Sequence, residues 1–242
     1  MKVLFKGQSP KDFDFPDENE DAIELALDSS KIIVSDGASE SYDSKTWARL
    51  LVSSSIKLAE LSEDWLSGLI TDYEAKFDLA NLPWSKQAAF ARGSFATLLV
   101  IENLIEDEIN LFSVGDSLAV LLNKTEFVES FPYLLSEEFK QRPELISTNS
   151  VLNTFLESPD FISKRKKTWS IKDMTNPIVL CMTDALGQWA LRNCEEGNPI
   201  WQKLCDIRNE AELNELVITE RLGKNMRVDD VTLIKLSFKS LG

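Results

Sequence analysis

Acidic residues stand where apolar runs end. Ile32, Ile33 and Val34 lead into Asp36-Gly37, the run NPIVLCMT leads into Asp184, Asp229-Asp230 opens the run VTLIKLSF, and Glu20-Asp21 close an acidic stretch ahead of the first run. Carboxylates at strand ends can converge on one edge of a sheet sandwich, where like charges repel unless a cation sits among them. Hard divalent ions such as Mg²⁺ and Mn²⁺ take oxygen ligands and keep several waters, so they need neither histidine nor cysteine. Two such ions about 3.5 to 4 Å apart can acidify a water and clamp a phosphoryl group. Taken singly, each acid also reads as ordinary structure. Asp36-Gly37 is a turn signal, Asp184 a helix cap before ALGQWALR, Asp229-Asp230 a solvated turn, and Asp116 in SVGDSLAVLL the turn of a hairpin.

The composition narrows the chemistry. The 242 residues contain no histidine, which removes Ser-His and Cys-His nucleophiles, histidine-ligated zinc and the usual acid-base group near neutral pH. Cys181, Cys194 and Cys205 are widely spaced and lack the close pairs of zinc or redox sites, so they read as free thiols. With 26 basic against 40 acidic residues the net charge is -14, which opposes binding to nucleic acid or an anionic membrane. No apolar run reaches the roughly 18 to 20 residues of a membrane span. Met1 to Ser9 is too short and polar for a secretory signal, so the expected compartment is the cytoplasm. Asp12, Asp14 and Asp17 fail as a calcium loop, because Pro16 replaces a ligand and no glutamate closes the loop at Ile23.

The elements that must position these acids follow from periodicity. A strand is expected at 31–36, after an acidic loop over 10–21. Helices are expected within SKTWARLLVSSSIKLAELS, where Trp47, Leu50, Leu51, Leu58 and Leu61 share a face, and within SEDWLSGLITDYEAKF, capped by Ser62. From Gly93 the pattern turns to short strands, SFATLLVIEN, EINLFSV, SLAVLLN and EFVESF, read as an antiparallel meander. Residues 132–160 read as short helices and loops over one end of the sheet. A strand ending at Asp184 follows, then helices near 185–193, 198–206 and 209–222, and a last strand from Asp229. This order implies an α+β, four-layer αββα sandwich, two antiparallel sheets flanked by helices, in one domain over 1–242.

Six segments, NEDA (19–22), VSDGAS (34–39), GSFATLLV (93–100), FSVGDSLAVLL (112–122), LCMTDALGQWAL (180–191) and DDVTLIKL (229–236), resemble in order the type 2C, or PPM, family of metal-dependent protein phosphatases. The resemblance is to a compact bacterial-type branch in which the second aspartate motif reads Asp-Ala. It implies a serine/threonine phosphatase that uses two divalent cations, Mn²⁺ or Mg²⁺, and forms no phosphoenzyme. Asp36 would bridge the ions, the Gly37 carbonyl would bind one, and Asp184 and Asp229 would complete the other's shell. Asp21, with Glu20 beside it, would hold the ions' waters, and Asp116 would help bind a third, weaker ion. A water made acidic by both ions would attack the phosphorus in line. The implied partner is a phosphorylated protein, met by a monomer.

The chain departs from that pattern in places. No arginine precedes residue 49, and Pro16 holds the usual position of the phosphate-binding arginine, leaving a lysine such as Lys6 or Lys11, another region or the metals to bind phosphate. The segment ASES replaces the common histidine after the first Asp-Gly, so water must protonate the leaving group. Lys164, Arg165, Lys166 and Lys167 form a basic run that reads either as a solvated charge run or as a docking patch for an anionic phosphopeptide. Two further readings stay open: a phosphatase-fold module that binds metal or partners with little turnover, and a phosphatase of small metabolites.

Overall fold

The computed structural model describes residues 1–26, 28, 30–58 and 60–238. In chain order the elements are β1 (Lys2–Ser9), β2 (Ala22–Ala26), β3 (Lys31–Ser35), α1 (Ser44–Ser55), α2 (Glu63–Glu74), α3 (Trp84–Arg92), β4 (Phe95–Ala96), β5 (Leu98–Glu102), β6 (Glu108–Val114), β7 (Leu118–Asn123) and β8 (Glu126–Phe131). They continue with β9 (Ile146–Ser147), α4 (Phe161–Arg165), β10 (Lys166–Ser170), β11 (Pro177–Met182), α5 (Asp184–Glu195), α6 (Ile200–Asp206), α7 (Glu210–Leu222) and β12 (Val231–Ser237). Two five-stranded antiparallel sheets result, ordered β1-β12-β11-β7-β8 and β10-β6-β5-β3-β2, with β4 and β9 as a small pair.

Side-chain alternation sorts the strands into three apolar layers. Ile32, Val34, Leu99, Ile101, Ala119, Leu121, Val179, Cys181, Ile234 and Leu236 pack between the two sheets. On the opposite faces, Ile33, Leu98 and Val100 meet Trp47, Leu51 and Leu69 of α1 and α2. Leu118, Val120, Leu180 and Leu233 meet Leu186, Trp189, Leu204 and Leu213 of α5, α6 and α7. Strands apolar on both faces are what a four-layer sandwich requires, since each sheet is covered twice. The α2 start is held as the sequence implies, by Ser62 accepting the Trp65 backbone N–H.

Strand direction brings the acids to one edge. Asp36 follows β3, and Asp21 precedes β2, its antiparallel neighbour. Asp184 follows β11, and Asp229 lies just before β12, antiparallel to it. Asp116 joins β6, which runs parallel to β3 through β5, to β7, which is antiparallel to β11. All five positions therefore lie at the same end of the sandwich.

Several expectations need correction. The four strands after Gly93 are not one meander, because β5 and β6 pair in one sheet and β7 and β8 in the other. Asp116 thus sits in a crossing between sheets, not in a hairpin; both flanking strands are apolar on two faces, and periodicity cannot assign them to a sheet. Gly115 makes the crossing possible, with φ of +98° and Thr97 so near that a Cβ would lie 2.6 Å from its side chain. Strands β1, β2 and β10 and helix α3 carry no strong pattern and are absent from the sequence reading. The first is an amphipathic edge strand with two lysines, paired to β12. Asp230 is 3% exposed, so the Asp229-Asp230 pair is not a solvated turn.

Candidate metal centre

Asp36 extends the inter-sheet face of Ile32 and Val34 past the end of β3. Its backbone is fixed from both sides: its N–H donates to Thr97 Oγ1 at 2.9 Å, and its carbonyl accepts from the Thr97 N–H at 2.9 Å. Thr97 Oγ1 is in turn bonded to Ser117 Oγ at 2.7 Å, which ties the Asp36 turn to the Asp116 crossing. Gly37 is pressed between loops, and a Cβ there would stand 3.0 Å from the Glu20 carbonyl and from Ser44. Burial, then the charges of Asp21, Asp116 and Asp229, push the Asp36 carboxyl well above its ordinary range, against the pull of Arg227.

Asp21 is the anchor between the sheets. It is 6% exposed, and one carboxylate oxygen, Oδ2, accepts from Thr232 Oγ1 at 2.7 Å and Thr183 Oγ1 at 3.0 Å. Its other oxygen, Oδ1, is buried with no hydrogen-bond partner. Burial pushes its pKa up to about 8, with Asp230 and Asp229 adding to the rise and the two threonine hydroxyls opposing it. Thr183 and Thr232 were not singled out from the sequence; their signal was their place beside Asp184 and two residues after Asp230, on the face that points between the sheets.

Asp184 opens α5 but caps nothing; its Oδ1 is buried and unpartnered, and its Oδ2 pairs with Arg227. The same guanidinium lies 3.6 Å from Asp229. Asp116 is 6% exposed and its carboxyl is raised by burial, with Arg227 pulling it down and Asp229 pushing it up. Among the described residues, no group of three or more carboxylates, thiols or imidazoles is arranged to hold a metal ion. Arg227 was also not singled out; a lone basic residue two positions before Asp229 was the only available sign.

Two acids take up scaffold work. Asp230 accepts the backbone N–H of Lys11 at 2.7 Å and of Glu20 at 2.9 Å, clamping the acidic loop against the start of β12. The Glu20 carboxylate is occupied by Lys11, Ser39 and Ser44. Lys11 is therefore engaged with Glu20 and Ser39, and ASES supplies a serine that buttresses the loop.

The basic run lies at the end of α4 and along β10, the edge strand farthest from β2 in its sheet. Each member has an acidic partner: Lys164 with Asp160, Arg165 with Glu144, Lys166 with Glu60 and Lys167 with Glu129. A cavity of about 250 Å³ opens beside it, lined by Leu58, Leu61, Val100, Phe112 and Lys167 among others, and touches none of the clustered aspartates.

The donor set fits hard divalent cations. It is all oxygen, it holds buried carboxylate oxygens on Asp21 and Asp184 without hydrogen-bond partners, and burial, then the neighbouring aspartates, raise the proton affinity of Asp36.

No family model matches this sequence, and no curated protein matches it. Solved structures do match in fold. A bacterial serine phosphatase aligns over 99% of this chain and 99% of its own, with a TM-score of 0.53 and 16% identity. The Mycobacterium tuberculosis serine/threonine phosphatase PstP/Ppp aligns over 98% of this chain and 100% of its own, with a TM-score of 0.57 and 14% identity. The catalytic domain of PstP in complex with 2 manganese ions aligns over 98% and 99%, with a TM-score of 0.56 and 15% identity. The chain has the fold of these serine/threonine phosphatases.

Proposed function

We propose that this chain is a single-domain, metal-dependent serine/threonine protein phosphatase of the type 2C class. The observation that carries the reading is the convergence of Asp21, Asp36, Asp116, Asp184 and Asp229 on one edge of the sandwich, with unsatisfied buried oxygens among them. The manganese-bound PstP neighbour, alike in fold, supports Mn²⁺ as a cofactor here.

Asp36, the Gly37 carbonyl, Asp184 and Asp229 would hold two divalent cations, Asp21 would steady their waters, and Asp116 would serve a third. When bound, the cations supply Lewis acidity that activates water and neutralises phosphoryl charge. The chain's own residues do the positioning. Thr183 and Thr232 orient Asp21, Thr97 fixes the Asp36 turn, and Asp230 holds the loop that carries Glu20 and Asp21. With no histidine, the leaving oxygen takes its proton from solvent, so substrates with acidic leaving groups are hydrolysed faster.

The test is hydrolysis of a phosphothreonine peptide and of an aryl phosphate in EDTA, Mg²⁺ or Mn²⁺, comparing wild type with Asp36→Asn. Metal-dependent turnover that vanishes in the variant is expected, with the aryl phosphate, whose leaving group is more acidic, turned over faster and the peptide bound at the lower KM. A lower KM for the small phosphate ester than for the peptide would redirect the assignment to a metabolite phosphatase. Mn²⁺ binding without turnover would make the chain a binding module, a reading favoured by one observation, that Arg227 already occupies Asp184.

A further inference from the structure

Arg227 approaches the acids from the loop before β12. Its side chain is 39% exposed, whereas Asp184, its partner, is 14% exposed, so the guanidinium covers the carboxylate from the solvent side. It also stands 3.6 Å from Asp229. Asp184 and Asp229 are the two acids assigned above to one ion. Asp184 Oδ1 stays open to an ion, but a guanidinium on Oδ2 and beside Asp229 sets its charge against that of a divalent cation held by the same two acids. Ion binding therefore favours turning Arg227 out.

Neighbouring cations are committed: Arg221 donates to the backbone carbonyls of Pro10 and Asp229, and Lys11 to Glu20 and Ser39. A freed Arg227 therefore stands at the solvent-facing rim of the site with unused donors. A guanidinium carries five N–H donors in a fixed fork that matches the oxygens of a phosphate monoester.

We propose that Arg227 exchanges partners, holding Asp184 and Asp229 while the site lacks divalent ions and binding the substrate's phosphoryl oxygens once those ions have displaced it. The proposal rests on the phosphatase reading. It makes Arg227 both a competitor for the metal and a substrate-binding group, and the two roles predict opposite signs for one substitution.

The test uses the full chain with Arg227→Gln and Arg227→Lys. Mn²⁺ affinity is measured by calorimetry, the inhibition constant of inorganic phosphate is taken at saturating Mn²⁺, and KM and kcat are measured on a phosphothreonine peptide. In Arg227→Gln, Mn²⁺ should bind about tenfold tighter, and the phosphate inhibition constant and KM should each rise about tenfold with kcat changed less, as expected for a lost charge-assisted contact. Arg227→Lys should recover part of both. Unchanged or weaker Mn²⁺ binding in Arg227→Gln overturns the proposal, as does tighter Mn²⁺ binding with KM and phosphate inhibition at wild-type values. If Arg227→Gln fails to fold, Arg227→Lys decides alone: wild-type values throughout for this poorer fork overturn the exchange. An active wild type with either result removes only the role of Arg227. A wild type that binds Mn²⁺ and hydrolyses nothing removes the phosphatase reading and the exchange with it.

Discussion

Asp21 and Thr232 are separated by 211 positions in the chain, yet the Thr232 hydroxyl donates to the Asp21 carboxylate at 2.7 Å in the buried seam between the sheets. The contact joins the loop before β2 to β12 in the opposite sheet. The other carboxylate oxygen, Asp21 Oδ1, is buried without a hydrogen-bond partner. A carboxylate steadied on one oxygen keeps the lone pairs of the other for a further donor or ion.

Thr232→Val tests that arrangement. Removing the hydroxyl while keeping the shape should lower stability by about 1 to 3 kcal/mol, because a buried acceptor loses a donor. Mn²⁺ affinity should fall severalfold as Asp21 gains freedom. Calorimetry and thermal unfolding check both, and an unchanged Mn²⁺ affinity would mean that Asp21 does not serve the ion.

The metal-free protein should lose stability as pH rises. Burial lifts the Asp21 pKa from 3.8 to about 8 and raises Asp36 in the same direction. A carboxyl with a raised folded-state pKa holds its proton more tightly when folded, so its contribution is full below about pH 4 and is lost as pH climbs through about 8. In EDTA the Tm should fall between about pH 5 and pH 8.5, and Asp21→Asn should flatten the slope. Saturating Mn²⁺ should remove it, since metal binding takes the deprotonated acids. A Tm in EDTA that is level across this window would contradict the assignment.

Asp230→Ala should release the acidic loop. Two backbone N–H groups, of Lys11 and Glu20, lose their acceptor, which should cost about 1 to 3 kcal/mol and increase proteolysis within residues 10–20. Limited proteolysis with mass spectrometry reads the outcome. Unaltered cleavage kinetics would show that the loop is held by other contacts.

Replacing Lys164, Lys166 and Lys167 by glutamine should leave KM for a phosphopeptide within about twofold, because each lysine already faces a carboxylate and exposed pairs of this kind contribute little. A clear rise in KM for the peptide, with none for an aryl phosphate, would make the run a docking patch.

Gly37→Ala should strain the turn. Its added methyl would meet the Glu20 carbonyl and Ser44 at 3.0 Å, contacts the packed loop can relieve only by moving, at a cost of about 1 to 3 kcal/mol. Thermal unfolding measures the loss, and an unchanged Tm would show that the loop yields freely.

The layered sandwich and the identity of its acids are written in the order of residues. Two-faced apolar strands such as LLVIE and PIVLCM demand cover on both sides, and the facing sheet supplies one while helical segments at 44–55 and 184–222 supply the other. Asp36, Asp184 and Asp229 were legible because a charge that ends an apolar run breaks the local pattern. The weakly patterned strands β1, β2 and β10 were not, because edge strands with polar outer faces resemble loops. Which sheet each strand joins is settled in three dimensions, since strands apolar on both faces fit either. Folding also separates Asp229, beside Arg227, from Asp230, which clamps a loop. It brings Thr183 and Thr232 to Asp21, and hydrogen bonds spanning 162 and 211 positions leave no local trace in the chain.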